Sequence, residues 1–148
     1  MVEGRELIER YVEAVNRRDP TALREVLDPD YVDEMPQSGE RIRGRENYIA
    51  MLANYPGPDG AAAWADPATV RVFGGESRWI LSPAFNVISV QGGGDTYVVI
   101  FRFPYQDGTI WHAARILTTK DARVLASTSI YGQDFEAPSW RAQWVEQM

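Results

Sequence analysis

The 148-residue chain has no cysteine, one histidine and a single lysine. Without cysteine there is no disulfide, no thiolate nucleophile and no thiolate metal ligand. One histidine, His112, cannot build a multi-histidine metal centre, so neither a metal nor another cofactor is expected. The lone lysine, Lys120, falls in an apparent turn, a poor place for a Schiff-base nucleophile. Positive charge is also scarce: the formal net charge is −6 and the pI about 4.8, which argues against binding a nucleic-acid backbone. No apolar run reaches the roughly 20 residues that a membrane span needs. The stretch after Met1, "VEGRELIER", lacks the apolar core of a signal peptide, so a cytoplasmic location and no membrane partner are expected. The longest glycine run, "QGGGD" (Gln91–Asp95), lies between strand-like segments rather than before a helix, so it does not read as a phosphate loop.

The composition is that of a globular chain, with 45% apolar and 24% charged residues. Its length suits one domain spanning 1–148. Over residues 3–17, Leu7, Ile8, Tyr11, Val12 and Val15 recur at helical spacing. Asp19-Pro20 reads as an N-cap and first helical residue for a short helix, "TALREVL", ended by Asp28-Pro29. "YVDEM" (Tyr31–Met35) is a short strand, and "EMPQSGERIRG" (Glu34–Gly44) reads as a polar loop. "RENYIAMLANY" predicts a third helix, stopped by "PGPDG". The second half is strand-rich: "TVRVFGG", "RWILSPAFNVISV", "TYVVIFRFPY", "TIWHAARILTT" and "RVLASTSIYG". Turns fall at 92–95, Gln106-Asp107-Gly108 and Lys120-Asp121-Ala122, and Ser139 would cap a short helix in the tail. Three helices and then a run of strands make an α+β layout, with helices on the concave face of a curved sheet. The mouth of such a cone is a natural ligand site.

"RYVEAVNRRD" (Arg10–Asp19), "YVDEMPQSGERIRGREN" (Tyr31–Asn47), "FRFPYQDG" (Phe101–Gly108), "SIYG" (Ser129–Gly132) and the ending "FEAPSWRAQWVE" carry a resemblance. They resemble the nuclear transport factor 2-like superfamily, in its SnoaL-like polyketide cyclase and ketosteroid isomerase branch. The resemblance spans most of the chain and is weak over about 56–92. It implies a cone-shaped, cystatin-like α+β roll whose strongly curved, mixed or antiparallel sheet is wrapped by three N-terminal helices. It implies Tyr11 as an oxyanion donor and Glu34, with Asp33 as its neighbour, as the general base. The family's second oxyanion donor falls on Ala114, which cannot donate. Two residues earlier stands His112, and alternation puts 110, 112, 114 and 116 on one face.

The expected catalytic set is therefore Glu34, His112 and Tyr11; alternation lets only one of Asp33 and Glu34 point inward, and the resemblance favours Glu34. Gln37 is expected at the rim. Tyr97, Val99, Phe101 and Phe103 alternate on one strand, and Ser127, Ser129 and Tyr131 on another, giving an aromatic wall. The same alternation turns Arg102 outward and Arg115 away from His112, against an Asp-Arg-Asp water-activating group. Apolar residues such as Val98 and Ile100 on the other sheet face predict cover by a second copy, a two-fold dimer. The functional expectation is cofactor-independent acid/base chemistry on a small apolar or aromatic carbonyl compound: isomerisation, aldol-type cyclisation or dehydration. The alternatives are a non-catalytic binder of the same ligand class and a protein-interaction module.

Overall fold

The computed structural model of the chain describes residues 4–56, 71–74 and 94–148. The strand-like segment "RWILSPAFNVISV" and residues 57–60 of the "PGPDG" stop lie outside these residues.

Helix α1 (Gly4–Arg17) buries Leu7, Ile8, Tyr11, Ala14 and Val15, one stripe at the 3.6-residue period. Helix α2 (Pro20–Val26) starts where Asp19 accepts hydrogen bonds from the backbone N–H groups of Thr21 (2.9 Å) and Ala22 (3.2 Å). Pro20 loses nothing at the first helical position, where its missing N–H would have no partner. Helix α3 (Arg45–Ala53) buries Tyr48, Ile49 and Leu52. It follows Gly44, whose φ of +85° is one that a glycine accepts at little cost.

The strands are β1 (Leu27–Met35), β2 (Glu40–Arg43), β3 (Arg71–Gly74), β4 (Thr96–Pro104), β5 (Ile110–Lys120) and β6 (Arg123–Gln133). They form a single sheet in the order β2-β1-β6-β5-β4-β3. Every pairing is antiparallel except β1 with β6, so the α+β fold carries a mixed sheet. One sheet face and the apolar stripes of the three helices meet in a common core. Within it the Tyr31 and Tyr48 rings meet edge-on at 5.1 Å, a contact worth about 0.5–1.5 kcal/mol beyond the area buried.

Three expectations change. The polar loop 34–44 is a hairpin: β1 runs to Met35, the chain turns through Gly39, and β2 returns with Glu34 opposite Arg41. Strand β1 also begins earlier than "YVDEM", at Leu27, and an irregularity between Leu27 and Val32 absorbs Pro29. In the tail, Ser139–Trp144 is a 3₁₀ helix with no side-chain cap. Its Trp140 and Trp144 are each 72% exposed.

Candidate functional site

Parity along the strands decides which side chains reach the interior. On β1, Tyr31 and Asp33 are buried, while Glu34 is exposed. The inward acid is thus Asp33, at 1% exposure. Glu34 points outward and pairs with Arg41 across the hairpin at 3.0 Å. The cause is Tyr31: its large ring fills the space against Tyr48, and a period of two carries Asp33 in with it.

The same correction applies on β5. The sequence reading put His112 and Ala114 inside. Instead Trp111, Ala113, Arg115 and Leu117 face the helices, and His112 and Ala114 face the other way. His112 is exposed and lies 2.6 Å from Asp134, which also binds Arg102 at 3.1 Å. Ala114 stands in register between Ile100 and Ile130 on the outer face. Register explains the outcome. The hairpin through Gln106–Gly108 pairs Phe103 with Trp111, Phe101 with Ala113 and Val99 with Arg115. Paired residues share a face, so an inward aromatic set on β4 forces Arg115 inward.

Arg115, which strand alternation was expected to turn away from the site, is instead a buried residue of the cavity lining. At 2% exposure, its Nη1 donates to the hydroxyls of Tyr11 and Tyr48, at 2.6 Å each. The guanidinium also lies 5.9 Å from the centroids of the Tyr48 and Phe101 rings. Burial works against the charged form, but Tyr11, Tyr48, Tyr131 and Asp33 outweigh it and hold the pKa well above the usual arginine value. Arg115 is therefore a fixed buried cation. Burial also pushes the Tyr31 and Tyr48 phenols well above their usual range, so both keep their protons at neutral pH.

Asp33 is held with equal definition. Its Oδ1 accepts from Ser127 Oγ at 2.6 Å and Ser129 Oγ at 3.0 Å. Ser127 spends its proton on the carboxylate, so the 2.7 Å contact with Tyr31 must run from the phenol to Ser127. Asp33 Oδ2 is buried and accepts no hydrogen bond among the described residues.

Of these groups, Asp33 and Arg115 line a cavity of about 320 Å³. Asp33, Arg115, Gln37, Ser38 and Glu40 supply its polar lining. Met35, Met51, Tyr55, Phe103, Tyr105, Trp111 and Tyr131 supply apolar walls. Phe103 meets Tyr131 at 5.9 Å and Tyr105 meets Trp111 at 5.0 Å between ring centroids. Trp111 is oriented by its indole N–H, which donates to Thr109 Oγ1 at 2.7 Å. Burial pushes the Tyr55 phenol up to about 12. Gln37 stands at the rim, where its side-chain amide donates to the Tyr131 carbonyl and accepts from the Tyr131 N–H. This amide pairs with the backbone as a neighbouring strand would, and ties the hairpin turn to β6.

Of the expected binding residues, Asp33, Gln37, Phe103 and Tyr131 line the cavity. Ser129 reaches it through Asp33, and Tyr11 through Arg115. Tyr97, Val99 and Phe101 face inward but are buried in the core cluster, outside the cavity lining. Among the described residues, no three histidine, aspartate or glutamate side chains gather as a metal would need. None of the helices among them is long and apolar enough to cross a membrane.

The helix-backed mixed sheet with a cavity beside its inner face defines an NTF2-like protein. The SnoaL-like domain model matches residues 8–113, and the chain belongs to that family. Among solved structures, an NTF-2-like protein of unknown function from Burkholderia xenovorans LB400 is 28% identical, with a TM-score of 0.69. That alignment covers 98% of this chain and 94% of the other. A candidate ketosteroid isomerase from Kribbella flavida DSM 17836 is 22% identical over 98% of this chain and 89% of its own, with a TM-score of 0.65. A protein of unknown function with a cystatin-like fold, from Xanthomonas campestris, is 13% identical over 88% and 91% of the two chains, with a TM-score of 0.59. The last two establish shared fold alone. No curated protein matches the chain.

Proposed function

We propose that the protein is a cofactor-independent acid/base catalyst for a small aromatic carbonyl compound, with Asp33 moving the proton and Arg115 stabilising the oxyanion. The observation that carries this reading is the convergence of one buried carboxylate and one buried cation on an aromatic-walled cavity. A carbonyl losing a neighbouring proton develops negative charge on oxygen. A pre-positioned cation in a water-poor site stabilises that charge without reorganising. Oδ2 of Asp33 is the oxygen with lone pairs to spare, since both serines occupy Oδ1. Isomerisation, aldol-type cyclisation and dehydration share this proton transfer. A water-activating Asp-Arg-Asp group would need a second buried carboxylate, and the other one lining the cavity, Glu40, is exposed at the rim.

The test uses β-hydroxypropiophenone, which carries an aryl ring, a carbonyl and a β-hydroxyl. In D2O, proton NMR follows deuterium entry beside the carbonyl and the appearance of phenyl vinyl ketone. The wild-type protein should accelerate at least one of these, and Asp33→Asn should lose about 100-fold or more. A wild-type rate equal to background, or an undiminished rate in Asp33→Asn, removes the catalytic reading. Occupancy without acceleration would leave a binding protein of the same ligand class.

A further inference from the structure

Resting on the reading of Asp33 and Arg115 as the working pair, we infer that the natural ligand is an uncharged aromatic molecule bearing a hydroxyl group, which donates its proton to Oδ2 of Asp33. Three observations lead there. The first is the hydrogen-bond inventory. Ser127 and Ser129 saturate Oδ1 from one side, and Tyr31 fixes Ser127 from behind, so the carboxylate cannot rotate without breaking this chain. Asp33 lines the cavity, and its Oδ2 is buried with no donor among the described residues. A buried carboxylate oxygen without a donor is costly, and a ligand that supplies one recovers that cost on binding. A hydroxyl does so; a C–H bond does not.

The second observation is charge. Arg115 and Asp33 are the buried charged residues of the lining, and they cancel. Glu40 adds negative charge at the exposed rim. A carboxylate ligand would bring another anion beside Asp33 and past Glu40. A neutral one meets a balanced site. The third observation is the wall. Phe103, Tyr131 and Trp111 offer ring faces and edges, which suit a flat ring. Among the three outcomes above, this inference favours substrates that carry a hydroxyl as well as a carbonyl.

The experiment titrates three probes of matched shape: para-ethylphenol, para-ethylanisole and para-ethylbenzoate. Occupancy is read from the indole N–H resonance of Trp111 in nitrogen-15-labelled protein, identified by its absence in Trp111→Phe. In the wild type, the phenol should bind about tenfold or more tighter than the anisole, the range for a hydrogen bond to a charged acceptor. The benzoate should bind more weakly than the phenol. In Asp33→Asn the preference for phenol over anisole should shrink to about twofold or less. Ser129→Ala, which frees Oδ1, should lower the preference partway, and Ser129→Thr should restore it. Equal binding of phenol and anisole, tighter binding of benzoate, or no binding of any probe overturns the inference. The outcome is separable from that of the catalytic reading, because equal binding of phenol and anisole leaves the Asp33-dependent rate on β-hydroxypropiophenone intact.

Discussion

Arg115→Met removes a buried cation while keeping most of its volume. Two tyrosine hydroxyls, on Tyr11 and Tyr48, lose a donor at 2.6 Å, and both rings lie within the core cluster. A hydrogen bond from a charged donor is worth about 1.5–3 kcal/mol, so the two together suggest a loss of about 3–6 kcal/mol. Asp33 in addition loses the attraction of a buried cation. Urea unfolding followed by tryptophan fluorescence measures the change. Arg115→Met should lower the midpoint strongly with little change in slope. Asp33→Asn in the same background should cost less than in the wild type, because the second neutralisation removes a charge already stranded. A coupling of about 1 kcal/mol or more is expected between the two sites. A loss under about 1 kcal/mol for Arg115→Met, or strict additivity of the pair, would refute the buried-pair argument.

Other outcomes follow from the same geometry. Glu34→Gln and His112→Ala change side chains that face away from the cavity, so each should leave turnover on β-hydroxypropiophenone within about twofold of wild type. Gln37→Ala should free the turn at the rim. Amide hydrogen exchange at Tyr131 should then quicken markedly while global stability, read by urea, moves by about 1 kcal/mol or less. The hydrogen bond from Arg24 holds the Glu46 carboxyl below its ordinary value. A depressed folded-state pKa contributes stability above the unfolded-state value, and that contribution disappears as pH falls through the folded-state pKa. The stability gap between wild type and Arg24→Ala should therefore be open at neutral pH and closed in acid. A gap that widens on acidification would contradict the sign.

Much of the fold was legible because local signals agreed. The stripe in α1, the Asp19-Pro20 start of α2 and the turn at Gln106–Gly108 each rest on residue chemistry that tertiary contacts had no reason to override. Strand parity was harder. Along β5, Ile110, His112, Ala114 and Ile116 look as apolar as Trp111, Ala113, Arg115 and Leu117, so alternation alone could not choose a face. The hairpin could have chosen. Its turn sets the register, and the register ties β5 to the aromatic set of β4. In "YVDEM" the ring of Tyr31 was the clue that its own face turns inward and takes Asp33 with it. The pairing of β1 with β6, which brings Ser127 and Ser129 to Asp33, joins residues 94 and 96 positions apart. Such a long-range pairing leaves no mark on the local pattern. Strand β2 was hidden for another reason: only Ile42 interrupts its polar run, as suits an edge strand.

The most direct measurement is a crystal structure of the protein soaked with β-hydroxypropiophenone. The account predicts the ring between Phe103, Tyr131 and Trp111, with oxygen atoms directed to Asp33 Oδ2 and to the Arg115 cluster. A cavity closed by side chains, or a ligand seated on the opposite sheet face beside Glu34 or His112, would contradict it.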